Sequence, residues 1–127
     1  MAKPVVLIVE DNQLTRSMLR DALKELPCDI AEATDGELAM AAVDQGPPAV
    51  MLLDLVLPKM SGNEILRTVR ERKLKTRVLI ITALDSRALA DQALDDGAHG
   101  FIAKPFHPLE VRSAVEGALA AYQELTR

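Results

Sequence analysis

The chain has 127 residues and a formal charge of −4, from 15 basic and 19 acidic side chains, which is the size of one folded domain with no room for a second. The acidic balance and an aromatic content of 2% argue against a phosphate-backbone binder or a base-stacking platform, which need a basic excess and aromatic faces. A lone cysteine, Cys28, excludes an internal disulfide and fits a reducing compartment. The apolar start before Glu10 is too short for a signal peptide, and no run approaches membrane-spanning length. The expectation is a single cytoplasmic domain over residues 1–127.

In chain order, the first run is Val5–Val9, unbroken rather than alternating, as a parallel strand covered on both faces requires. Leu14, Met18, Leu19, Ala22, Leu23 and Leu26 then follow helical spacing as one apolar face, closed by Pro27. Residues 29–33 form a weaker strand, expected at an edge, and an alanine-rich helix follows over residues 36–45. The third strand is 49–53. Ser61 and Glu64 make a capping box ahead of Ile65, Leu66 and Val69. A strand over 78–81 leads to a helix striped by Leu89, Ala93 and Leu94 that stops at Gly97. A strand over 100–103 is followed by a last helix opened by Pro108, with Leu109, Val115, Leu119 and Tyr122 on its apolar side. Strand starts 20 to 30 residues apart match βαβ units, so the fold class is α/β: a parallel sheet with helices on both faces.

Ligands of such sheets bind beyond the carboxyl ends of the strands. There the sequence places Glu10 and Asp11, Asp54, Thr82, and Lys104, one polar group or pair after each of four strands. Asp54 interrupts the most apolar stretch of the chain, where a carboxylate is costly unless paired or metal-bound. Three converging carboxylates repel one another, and a hard cation such as Mg²⁺ relieves that. With a lysine and a hydroxyl for phosphoryl oxygens, the set is suited to phosphoryl transfer, a carboxylate being the candidate nucleophile. There is no glycine-rich phosphate loop after the first strand and no histidine–cysteine spacing for zinc.

These residues resemble the receiver domain of two-component response regulators. The matching pieces are Ile8–Asn12, Leu53–Pro58 with Gly62 following, Ile81–Ala83, Asp96–Ala98 and Phe101–Pro105, in family order and spacing along the whole chain. The resemblance implies a doubly wound, five-stranded parallel sheet of flavodoxin-like order 2-1-3-4-5. It implies that Asp54 takes a phosphoryl group from a sensor histidine kinase or a histidine phosphotransfer protein. Glu10, Asp11, Asp54 and the main-chain carbonyl of Val56 would hold Mg²⁺, and Lys104 and the Thr82 hydroxyl would bind phosphoryl oxygens. The Lys104–Pro105 bond would be cis. Thr82 and Phe101 would form a switch that alters the surface of the fourth helix, fifth strand and fifth helix.

The chain departs from the family pattern at Glu10, whose longer arm suggests metal contact through water, and at Phe101, which lacks a tyrosine hydroxyl. Val56 and Leu84 are apolar where many relatives carry polar groups facing the phosphoryl group, which implies slow autodephosphorylation. The expectation is a stand-alone module, not an enzyme acting on other substrates. Its output would be altered affinity for a downstream protein, with no nucleic acid or membrane partner, as a monomer or a phosphorylation-dependent dimer.

An aspartyl phosphatase of the haloacid-dehalogenase type competes with this reading, but Val56 stands where those enzymes place a second acid. A flavodoxin-like cofactor binder lacks the aromatics to sandwich a flavin. His99 and His107 read as surface or strand-edge residues, Cys28 as buried filler, Met18 and Met51 as core. Arg67, Arg70, Arg72 and Lys73 read as a solvated helix face.

Overall fold

The structure, a computed structural model, describes residues 3–127 and leaves the side chain of Leu84 outside the described part. Strands β1 (Val5–Val9), β2 (Asp29–Ala33), β3 (Val50–Asp54), β4 (Arg77–Ala83) and β5 (Gly100–Lys104) alternate with helices α1 (Gln13–Leu23), α2 (Gly36–Gln45), α3 (Gly62–Glu71), α4 (Arg87–Asp95) and α5 (Pro108–Leu125); one 3₁₀ turn, Leu84–Ser86, precedes α4. All pairings are parallel, in the order β2-β1-β3-β4-β5. The chain reverses its winding between β1 and β3, which makes their carboxyl ends the crevice of the sheet.

Each strand splits its side chains between two cores, because successive residues point to opposite faces. Val6, Ile8, Val50, Leu52, Leu79, Ile81 and Ile102 meet α1 and α5. Leu7, Val9, Met51, Leu53, Val78 and Ile80 meet α2, α3 and α4. Both faces are covered, so the unbroken apolar runs are explained.

Two glycines are required by close approach. A Cβ on Gly62 would sit 2.7 Å from both the Asp54 carbonyl oxygen and the Leu55 Cα, so α3 starts directly against the chain leaving β3. Gly97 has φ +109°, and a Cβ there would also meet the Arg70 side chain.

Several sequence expectations need correction. Leu14 and Met18 are 69% and 46% exposed, so Met18 is not core. At about 100° per residue, nine positions separate Leu14 from Leu23 by roughly half a turn, and the stripe is wider than the buried face. Leu89 and Leu109 are exposed for the same kind of reason, with Ala90, Ala93 and Val111 taking the buried positions. Cys28 is only partly buried. Of the capping box, the serine half forms: the Glu64 amide donates to Ser61 Oγ at 3.3 Å. Strand β4 runs on to Ala83, placing Thr82 inside the strand. His99 is exposed immediately before β5, as expected, and its Nδ1 accepts from the Val78 amide at 2.9 Å. His107 caps α5, accepting from the Leu109 amide. Among the described residues no helix is long and apolar enough to cross a membrane.

Candidate functional site

The register brings the polar strand ends level. Val9 pairs with Leu53 and Asp54 with Ile81, while Thr82 pairs with Ala103. Glu10 and Asp54 thus leave neighbouring strands side by side, with Thr82 one position beyond Ile81 and Lys104, paired with Ala83, one beyond Ala103. Alternation then sorts them. Glu10, Asp54 and Lys104 continue the series Ile8, Leu52 and Ile102 on the α1–α5 side, whereas Thr82 continues Val78 and Ile80 toward α4.

Lys104 closes the first group. Its Nζ donates to Glu10 Oε1 at 2.6 Å and to Asp54 Oδ2 at 2.9 Å. Glu10 and Asp54 are buried and the lysine side chain is 27% exposed. Main-chain amides take the remaining oxygens: Asn12 N–H donates to Glu10 Oε2 and Val56 N–H to Asp54 Oδ1, each at 3.0 Å. Burial pushes the Glu10 carboxyl above the usual carboxylate range and the Asp54 charge adds to this, against the pull of Lys104 and the Asn12 amide. For Lys104 burial works against the charged form, but its hydrogen bonds to Glu10 and Asp54 prevail and hold its pKa above the ordinary value.

One carboxylate oxygen from each of Glu10, Asp11 and Asp54 lies within 4.8 Å of the others. All three donors are oxygens, with no thiolate or imidazole, the chemistry suited to a hard divalent cation such as Mg²⁺. The repulsion expected among three acids is already relieved in part by Lys104, which bridges two of them. Val56 presents a 65% exposed side chain beside this opening. The Lys104–Pro105 bond is cis.

Thr82 is buried, and Phe101 packs against the core on the same face of the sheet. The guanidinium of Arg87, in the first turn of α4, lies 5.2 Å from the Phe101 ring centroid and pairs with Asp91. The expectation for Leu84 falls outside the described residues.

Sequence reasoning passed over two residues. Asn12 caps α1 through its Oδ1, accepting from the Thr15 amide, while its own amide holds Glu10. Arg16 donates from Nη1 to the Glu10 carbonyl at 2.9 Å and from Nε to Glu32 Oε1 at 3.0 Å. Its sequence signal was slight: a cation near the start of a helix, where the dipole favours anions.

The chain matches the response regulator receiver domain over residues 6–116. It is 36% identical over 122 residues to the transcriptional regulatory protein TrcR of Mycobacterium tuberculosis, covering 96% of this chain and 48% of that protein. It is also 36% identical over 119 residues to a protein named chemotaxis protein CheY in Rhizobium etli, covering 91% and 92%. The chain therefore spans about half the length of TrcR. A crystal structure of a signal receiver domain from Vibrio parahaemolyticus superposes with a TM-score of 0.92 at 30% identity, covering 98% of this chain and 95% of that one. The order of the sheet agrees with these matches, and the chain belongs to the response regulator receiver domain family.

Proposed function

We propose that this domain is a phosphorylation-switched signalling module in which Asp54 is the phosphoryl acceptor. One observation carries the assignment: Asp54 is a buried acid that is itself the last residue of β3, the middle strand of the sheet, held by Lys104 and by the Val56 amide next to two further acids. An Asp54 oxygen attacks the phosphorus of a phosphohistidine on a sensor kinase or phosphotransfer protein. The P–N bond breaks, and the imidazole nitrogen keeps the electron pair. Glu10, Asp11, Asp54 and the Val56 carbonyl are the groups to hold Mg²⁺, which when bound neutralises charge on the phosphoryl oxygens. Lys104 keeps its proton and transfers its hydrogen bonds from carboxylate to phosphoryl oxygen. The Thr82 hydroxyl binds another such oxygen.

The response follows from the faces of the sheet. Thr82 and Phe101 both look toward α4, so drawing Thr82 to the phosphoryl group alters the space available to Phe101. The surface of α4, β5 and α5 then binds a downstream protein differently. The phosphoryl group shifts this equilibrium only by its differential interaction with the two states.

The test is intact-mass measurement after incubation with acetyl phosphate and Mg²⁺. The expected result is a gain of one phosphoryl group, absent in Asp54→Asn. Continuous release of phosphate without a labelled protein would point to a phosphatase, and full labelling of Asp54→Asn would refute the acceptor assignment.

A further inference from the structure

Asp11 differs from the other two acids of the cluster. It is exposed, and among the described residues no side chain or amide hydrogen-bonds its carboxylate. Its place beside Glu10 and Asp54 is therefore set by the backbone that carries it. Glu10 itself is held at its amide by the Ala33 carbonyl at 3.1 Å, and at its carboxylate by Lys104 and Asn12. None of these contacts touches the Glu10 carbonyl, the group that shares a rigid peptide plane with the Asp11 nitrogen. The carbonyl is held by Arg16 Nη1.

We propose that Arg16 is a positioning residue for the acidic cluster, acting through the Glu10 carbonyl to aim Asp11 at the site; this rests on reading the cluster as a Mg²⁺ site. The arginine is itself locked. Its side chain is 13% exposed, and its Nε donates to Glu32 Oε1. The other oxygen of Glu32 accepts from Arg20 Nε at 2.7 Å and lies 2.6 Å from Arg20 Nη2. Glu32 stands on β2 opposite Ile8 of β1, so the fork ties the end of β1 to its neighbouring strand and to α1. Planar guanidinium geometry matters here, because one group must serve a carbonyl and a carboxylate at once.

The sign of the effect separates positioning from simple charge. By Coulomb repulsion alone, deleting a cation near the cluster strengthens Mg²⁺ binding. If Arg16 positions Asp11, deleting it weakens binding.

The experiment is calorimetric titration of Mg²⁺ into the unphosphorylated chain, well below its melting temperature. Arg16→Ala is expected to raise the Kd about tenfold, as loss of supporting groups around metal ligands does. Arg16→Lys, which keeps the charge but not the fork, should recover only part of that loss. Unchanged or tighter binding by Arg16→Ala, with wild-type binding intact, overturns the proposal alone. If Arg16→Ala does not fold, Glu32→Asp, which keeps the charge but shortens the reach to Arg16 Nε, should weaken binding in the same direction, and an unchanged Kd there overturns the proposal. A wild-type protein that binds no Mg²⁺ removes the cluster reading and the proposal together.

Discussion

Replacing Lys104 by methionine keeps most of the side-chain volume and removes the one ammonium group that bridges Glu10 and Asp54. Both carboxylates are buried, so the variant leaves two like charges facing each other with only main-chain donors for compensation. Breaking a buried pair in this way costs about 3–5 kcal/mol, and the 27% exposure of the lysine favours the lower end. An unfolding entropy of ~2.1 cal/mol/K per residue makes a loss of about 3 kcal/mol equivalent to a fall of roughly 11 °C in Tm for a chain of this size. Acidity should narrow the gap. Glu10 already has a folded pKa above its ordinary value of 4.5, and losing the lysine removes the largest influence that lowers it. With a folded pKa above the unfolded one, the folded state binds more protons, so falling pH favours folding more in the variant than in wild type. Mg²⁺ should narrow the gap as well, raising the Tm of Lys104→Met more than that of wild type at the same concentration. Thermal unfolding by circular dichroism at pH 7.5 and pH 5, with and without millimolar Mg²⁺, reads all three effects. A Tm within about 2 °C of wild type (~0.5 kcal/mol), indifferent to pH and Mg²⁺, would refute the claim that Lys104 compensates this acid pair.

Three further outcomes are expected. Gly117 lies inside α5 with nothing within 4 Å of an added Cβ, so Gly117→Ala should stabilise by about 0.5–1 kcal/mol in urea unfolding; a destabilised variant would show that the site is not open. Burial, with the charges of Arg77 and Arg70, holds the His99 pKa below its ordinary 6.5, and the Val78 amide needs its unprotonated Nδ1. Because the unfolded chain takes the proton first, stability should be full above pH 6.5 and fall as pH drops toward the folded pKa. His99→Asn, which offers that amide an oxygen but does not titrate, should lose this part of the pH dependence, and identical profiles would refute the clasp. Val56, exposed beside Asp54, offers no hydrogen bond to an attacking water, so Val56→Asn should shorten the lifetime of the phosphorylated form severalfold after removal of the donor; an unchanged decay rate would show that this side chain does not govern water access.

The sequence by itself determined the elements and the level of the site. Apolar runs at Val5–Val9, Ala49–Leu53 and Val78–Ile81 are the local pattern that a doubly covered parallel sheet requires, and Glu10, Asp54 and Lys104 stand where those runs and the last one end. Gly97 was legible as a helix stop because positive φ is a property of a single residue. Other features depended on pairing across the chain. That Lys104 lies between Glu10 and Asp54 depends on residues 94 and 50 positions apart, and on a strand order that no local pattern encodes. The same holds for Arg16, which meets Glu32 only because β2 pairs with β1 in the register Ile8 to Glu32. Leu14 and Met18 matched the helical period yet face solvent, since periodicity reports an apolar stripe and not which part of it a neighbouring layer covers. Thr82 and Phe101 share a face through the alternation of β4 and β5 and their register, and only the packing of α4 against that face puts Arg87 over the ring. Local chemistry chose the strands and the residues at their ends, while the long-range order of the sheet decided which of those residues touch.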